Sequence, residues 1–255
     1  MKASAVVVAE LRNGRTVLTD LRSEPPIALR ETARGLSMLG SAAGPVGGDA
    51  LSMTVRVGAG ASLCIEAVAA TMVFPSSGGE ASTQLLDIEV AAGGHLRWSG
   101  QPLLVVSGGR HQQTTTVTLD ANATLDMLDE IALGRTGELP GSLDTRLRVV
   151  RGGRPLIDQR QVYDPTSPAW TTTAGVGRFR HVRHHLLVGR PTTEPATEVD
   201  SCVAAARIPL ADDVELTITL GVDRCAAADW AGDLINGPDR SRNHRHDGPR
   251  TNHHR

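Results

Sequence analysis

Residues 55–63 read "VRVGAGASL", and the fold turns on whether this glycine stretch is a phosphate loop or a turn between strands. A dinucleotide fingerprint sets a strand, a tight glycine turn and a helix in series, so that backbone amides cradle a pyrophosphate. It needs a small residue where Leu63 stands, and an acidic residue about twenty positions on, at the end of a second strand. Leu63 fails the first requirement. Glu80 is near the right distance, but it follows "PSSGG", a loop.

The turn also recurs, which a phosphate loop does not. Written as apolar-x-x-Gly-x-x-apolar, it stands at Leu11/Gly14/Val17, Val57/Gly60/Leu63, Val90/Gly93/Leu96 and Val150/Gly153/Leu156, and with Asn at its centre at Leu119/Asn122/Leu125. Gly and Asn tolerate the positive φ that tight hairpin turns require. The flanks alternate: in "MTVRV", Met53, Val55 and Val57 point one way, Thr54 and Arg56 the other. "LDTRLRVV" alternates likewise, and "TTTVTL" and "ELTITL" are β-branched runs. Alternation at period two between turn residues predicts strands, and the repetition predicts an all-β protein. The copies at 57, 90, 119 and 150 lie 33, 29 and 31 residues apart. That spacing predicts a large stack of hairpins, a β-helix-like two-layer architecture with a few short helices. "AADWAGDLI" (227–235) reads as one such helix, while "RETARGLSML" and "CIEAVAATMVF" are ambiguous between helix and strand.

Composition bounds the function classes. Among 255 residues only six are aromatic (Phe74, Trp98, Tyr163, Trp170, Phe179 and Trp230), so the core must be aliphatic. A net charge of −2 gives no field that favours nucleic acid or an anionic membrane. "MKASAVVVAELRNG" lacks the length and cleavage site of a signal peptide, and no stretch reaches the roughly twenty apolar residues of a membrane span. Three widely spaced cysteines, Cys64, Cys202 and Cys225, fit a reduced cytoplasmic protein. Residues 1–235 read as a single β domain. From 236 to 255 the chain, "GPDRSRNHRHDGPRTNHHR" from Gly237, reads as a disordered His-rich tail.

From Gly47 to Arg135 the sequence resembles the urease accessory protein D family (UreD, also called UreH). The resemblance is carried by "GGDALSMTVRVGAGASL", "AVAATMVF", "LRWSGQPLLVVSGGRHQQTTTVTL" and "LDEIALGRTGE" in that order, and extends over most of residues 10–165. It implies an all-β, β-helix-like protein without catalytic activity. It further implies binding to apo-urease structural subunits and to accessory proteins F and G (the latter a GTPase), and nickel in transit through an internal channel, with no tightly bound cofactor. The chain departs from the family at Met72, where a basic residue is usual, and at Gly100, where Pro usually precedes Gln101-Pro102. From about Arg178 it matches loosely.

Read for chemistry, the residues offer little catalysis. No G-x-S-x-G elbow and no HExxH occurs. Asp126, Asp129 and Glu130 cluster in "LDMLDE"; on a strand Asp126 and Glu130 share a face, as oxygen ligands or simply as a solvated edge. If the family reading holds, Glu130 lines a metal channel. In "RFRHVRHHLLV", His181 and His185 share a face and His184 points away. The neighbouring arginines argue against a tight cation site there, leaving a partner contact or a solvated strand. Glu66, in the strand after the opening turn, faces the core, a partner or a metal path, and Cys64 beside it reads as a small core residue. Imidazole suits nickel, so the tail histidines His244, His246, His253 and His254 are candidate metal ligands, or an unselected polar extension. Tyr163 and Trp170 sit in a Pro-rich loop, as interface aromatics or packed beneath it. The alternative to a urease-maturation scaffold is a β-rich small-ligand or protein-binding module.

Overall fold

Three of the five recurrent turns do not close hairpins. In the computed structural model, which describes residues 1–170, 172 and 175–228, they are arches that carry the chain from one β-sheet to another. In chain order the strands are β1 (Lys2–Arg12), β2 (Arg15–Ser23), β3 (Ile27–Thr32), β4 (Gly35–Gly40), β5 (Ala50–Val57), β6 (Ser62–Ala67), β7 (Thr71–Val73), β8 (Ser82–Val90) and β9 (His95–Ser99). They continue as β10 (Leu103–Val105), β11 (Arg110–Leu119), β12 (Thr124–Ala132), β13 (Ser142–Arg151), β14 (Arg154–Tyr163), β15 (His181–Val188), β16 (Ala196–Val199), β17 (Val203–Ala211) and β18 (Val214–Gly221). Among the described residues, one short helix, α1, covers residues 224–228.

The first sheet runs β14-β13-β11-β8-β5-β1-β2 and the second β16-β17-β18-β15-β12-β9-β6-β4-β3. Strands β1, β5, β8, β11 and β13 are parallel, as are β4, β6, β9 and β12. The chain thus winds β5 to β6, β8 to β9 and β11 to β12 in successive coils, and the sequence spacing of about thirty residues is the length of one coil. The result is a two-layered parallel β-solenoid. Antiparallel strands extend its edges: β2 and β14 in the first sheet, β3 and the β15-β18-β17-β16 meander in the second. The motif closes true hairpins only at the first and last copies, β1–β2 and β13–β14.

The arches share one construction. Ala61 N–H donates to Gly58 O at 3.0 Å, Gly94 N–H to Ala91 O at 2.8 Å and Ala123 N–H to Asp120 O at 3.0 Å. Gly60 and Gly93 hold φ of 67° and 66°, the left-handed region in which a Cβ is strained. Asn122 does not share that backbone; instead its Oδ1 accepts from Gly93 N–H at 2.9 Å and ties one coil to the next. No helix follows Gly58 or Gly60, so this turn has no helix N-terminus to hold a phosphate.

Packing follows the register. Val7, Val55, Ile88, Val117 and Val149 align across the first sheet, each with no exposed surface. Leu36, Ile65, Trp98, Met127, Leu186 and Leu216 align across the second, all buried. Each such side chain contributes roughly 1.5–3 kcal/mol on leaving water. Aliphatic rows stacked at strand spacing fill the space between the sheets, which is how the fold manages with so few aromatic residues. Tyr163 and Trp170 are not interface aromatics: both are buried in a second core cluster with Val105, Leu133 and Val182. The ambiguous segments resolve as strand, "RETARGLSML" as the β3–β4 hairpin and "CIEAVAATMVF" as β6 and β7. The predicted 227–235 helix lies mostly outside the described residues, as does the tail.

Candidate functional site

Counting back from each arch by twos shows where the core changes character. In β8 the inward side chains run Val90, Ile88, Leu86, then Gln84 and Ser82; in β11 they run Leu119, Val117, then Thr115, Gln113 and His111. The half of each strand next to the arch is apolar and the far half polar. Register places Gln84, Gln113, Thr145 and Gln161 in one row across β8, β11, β13 and β14. From the second sheet Asp129 of β12 and His184 of β15, which are direct cross-strand partners, enter the same space. Gly100 lies beside Asp129, its N–H donating to Leu128 O at 2.8 Å. These rows line a chamber of about 100 Å³ between the sheets.

Two titratable groups of the chamber, Asp129 and His184, are desolvated. Asp129 accepts a hydrogen bond from Trp98 Nε1 at 3.2 Å, and burial outweighs that bond to push its carboxyl up to about 6. Burial likewise pushes His184 down to about 4, and its Nε2 has no hydrogen-bond partner. Both therefore hold their neutral forms well outside the usual range of their types. A neutral imidazole keeps a lone pair for a cation, and a carboxyl near 6 exchanges its proton close to neutral pH. His111, at the next inward position of β11, pairs its Nδ1 with Ser82 Oγ at 2.8 Å and is also pushed down to about 4 by burial. The amides of Gln84, Gln113 and Gln161 add uncharged oxygen acceptors. Among the described residues, no three His, Cys, Asp or Glu side chains are placed to hold a metal ion, so the chamber offers weak, successive contacts rather than a closed site.

Two further cavities meet the chamber. Met38, Ala67, Thr71 and Gln84 line both it and a pocket of about 290 Å³, whose walls include Ile27, Leu39, Met53, Met72 and Phe74. Gly100, Gln101 and Glu130 line both the chamber and an open groove of about 400 Å³ against Arg183, Arg224 and Cys225. The second junction sits where the polypeptide leaves β9, turns through Gly100-Gln101-Pro102 and re-enters the sheet as β10 beside the far end of β12.

The residues singled out from sequence converge on the outer face of the second sheet, and only Glu130 among them also reaches the chamber. Glu66, Asp126, Glu130, His181 and His185 all project from the outer face of the second sheet. Asp126 and Glu130 share a face of β12, with Asp129 on the other; His181 and His185 share a face of β15, with His184 on the other. Asp126 Oδ1 meets His185 Nε2 at 2.8 Å. Glu66 Oε1 lies 3.8 Å from Cys64 Sγ, and Cys64 is half-buried on that outer face rather than in the core. Nor is "LDMLDE" a solvated edge: β12 is central, and Glu130 is buried between Arg183 and Arg224. His244, His246, His253 and His254 lie outside the described residues. Sequence reasoning passed over Gln84, Gln113, Trp98 and His184. The signal that finds them is polar residues at inward parity, counted from the arch.

A two-layered parallel β-solenoid enclosing a polar chamber defines an all-β scaffold whose chemistry is buried between its sheets. The chain belongs to the UreD family, because the family model described as "UreD urease accessory protein" matches residues 1–234. Relatives named urease accessory protein UreD support this. One from Streptomyces avermitilis is 36% identical over 219 residues, covering 82% of this chain and 86% of that protein. One from Streptomyces coelicolor is 34% identical over 233 residues, covering 88% and 91%. One from Parafrankia sp. is 36% identical over 213 residues, covering 81% and 69%. No helix among the described residues is long and apolar enough to cross a membrane.

Proposed function

We propose that this protein is a non-catalytic scaffold of urease maturation in the cytoplasm, which binds apo-urease together with accessory proteins F and G and passes nickel through the chamber between its sheets. Family membership supports the accessory role. The observation that carries the conduction step is the row of Gln84, Gln113, Thr145 and Gln161 facing Asp129 and His184 in an otherwise aliphatic core. Burying this many polar groups away from the arches costs stability, and a passage for a hydrated cation accounts for the cost. Nickel is cargo here: weak oxygen and imidazole contacts let it enter and leave.

The test is co-expression with urease structural subunits and the accessory proteins at limiting nickel, comparing Asp129→Leu and Gln113→Leu with wild type. Complex formation by pull-down is expected to persist while urease activation falls at least tenfold. Unchanged activation in both variants overturns conduction, and failure of the wild-type chain to bind urease or either accessory protein overturns the scaffold. The tail histidines are proposed as a nickel collector. Truncation after Gly237 is expected to lower activation at limiting nickel and leave it unchanged at excess. The small-ligand alternative has the 290 Å³ apolar pocket in its favour, and a ligand retained by the purified chain in native mass spectrometry distinguishes it.

A further inference from the structure

One side chain crosses the outer junction of the chamber. Gly100, Gln101 and Glu130 border both the chamber and the open groove, and Arg224, the first residue of α1, joins two of them. Its Nε donates to Glu130 Oε2 at 3.1 Å and an Nη to Gln101 Oε1 at 2.8 Å. Glu130 belongs to β12 and Gln101 to the turn between β9 and β10. The guanidinium therefore spans from a central strand to the loop beside it, and its fixed fork of donors holds both oxygens at once. Arg183 Nε stands 3.1 Å from Glu130 Oε1, without hydrogen-bond alignment. Two guanidinium charges thus stand against one buried carboxylate. A cation at this junction meets repulsion as well as bulk, whereas a neutral molecule meets bulk alone.

The position of Arg224 depends on how α1 is seated. Asp223 Oδ1 caps Ala226 N–H at 2.8 Å, and Arg183 Nη1 donates to Ala227 O at 3.3 Å. Ala227 has no exposed surface. It packs on Gly221, the last residue of β18, where a Cβ would stand 2.6 Å from Ala227 N and 2.8 Å from Ala227 Cβ. The seat exists because residue 221 has no side chain. A helix this short has no stability of its own. These few contacts hold it over the junction, and half of the Arg224 side chain remains exposed on the groove side. Lifting α1 from Gly221 would carry Arg224 away from Glu130 and Gln101 and leave Glu130 paired with Arg183 alone.

We propose that Arg224 is a gate: its guanidinium closes the outer junction of the chamber by bridging Glu130 and Gln101, excludes cations by charge as well as by bulk, and clears the junction when α1 lifts from Gly221. This rests on the conduction reading and adds its regulation.

The test reads access to the chamber as the reaction rate of a thiol placed inside it. Gln113→Cys is introduced into the full-length chain with Cys64, Cys202 and Cys225 changed to Ser. The protein is treated with methanethiosulfonate ethylammonium, a cation, or with neutral methyl methanethiosulfonate, and the modified fraction is followed by mass spectrometry. Arg224→Gln is expected to speed the cationic reagent at least tenfold and the neutral one distinctly less, because only the cation loses a charge barrier. Gly221→Ala, which keeps both arginines but unseats α1, is expected to speed both reagents. Unchanged rates in either variant overturn the proposal. So does equal acceleration of the two reagents in Arg224→Gln, which marks loosened packing rather than a gate. If Arg224→Gln loses the melting transition of the parent chain, Gly221→Ala decides alone: acceleration supports the gate and unchanged rates overturn it. No urease and no nickel enter this measurement, whereas conduction is scored by Asp129→Leu in the activation assay, so each idea fails separately.

Discussion

Trp98 Nε1 donates to Asp129 Oδ1 at 3.2 Å, joining the last apolar row of the second sheet to the first polar one. Trp98 stacks between Ile65 and Met127 in register, while Asp129 stands opposite His184. The indole is buried by its neighbours and spends its single donor on the carboxyl. That one bond does not replace the water Asp129 gives up, and the carboxyl rises to about 6.

Asp129→Asn should therefore stabilise the protein at neutral pH. The folded-state value of about 6 lies above the ordinary 3.8, so the folded form binds its proton more tightly than the unfolded chain. Stability falls as pH rises between about 4 and 6 and stays lower above that, by up to about 3 kcal/mol for a shift of this size. Asn keeps an acceptor for Trp98 and has no charge to desolvate. Urea unfolding is expected to give a higher midpoint for the variant at pH 7.5, and matching midpoints near pH 4. Equal midpoints at both values are the contrary result.

Two buried histidines, His184 in the chamber and His111 beside Ser82, bend the curve the other way. His184 and His111 are both pushed from 6.5 down to about 4 by burial, so the unfolded chain binds more protons than the folded one in that window. Their contribution is present above pH 6.5 and is lost as pH falls towards 4. His184→Gln should flatten the loss of stability between pH 6.5 and 4, read as a smaller drop in melting temperature over that range than in wild type. An identical drop shows that His184 titrates as if in water.

How much of this was legible in the sequence divides along physical lines. The alternation in "MTVRV" and the recurrence of the glycine turn gave the strands, the all-β class and the coil length, because period and turn chemistry are local. Arch and hairpin look alike locally. Gly14 and Gly153 close antiparallel pairs, whereas Gly60 and Gly93 sit in arches; only the partner strand, some thirty residues away, tells them apart. Faces within a strand were legible too, as for Asp126 with Glu130 and His181 with His185. Which face of β12 or β15 looks into the chamber was not, because that depends on the sheet stacked opposite. The exposed-strand expectation for "LDMLDE" failed for the same reason: central position in a sheet is a non-local property.

The central ladder predicts a sharp contrast within a single strand. Ile88 has no exposed surface and stacks between Val55 and Val117, while Leu85 points outward and is 55% exposed. Ile88→Ala should cost about 2–5 kcal/mol, the transfer term plus a cavity that parallel neighbours on both sides cannot collapse into. Leu85→Ala should lie within about 0.5 kcal/mol of wild type. Chemical denaturation of the two variants measures the difference. Comparable losses in both would mean that the ladder is not the core.

Gly100 offers the most direct separation of stability from transport. Its backbone is not left-handed, so a side chain brings no φ strain there. The obstacle is space: a Cβ would stand 3.1 Å from Leu128 O and 3.3 Å from Asp129 Oδ1, at the junction that Gly100 and Gln101 share between chamber and groove. The backbone oxygen belongs to a central strand and cannot yield, whereas the Asp129 carboxylate can rotate into the chamber. Ala asks for a shift of a few tenths of an ångström, and its cost is expected to stay near 1 kcal/mol, the ordinary size for a point change. Val adds two methyl groups that fill the junction itself. If nickel travels by this route, Gly100→Val should reduce urease activation at limiting nickel much further than Gly100→Ala, while pull-down of the maturation partners and the melting temperatures of the two variants stay close. If activation instead falls in step with melting temperature across the pair, Gly100 is a packing residue and the cation leaves elsewhere.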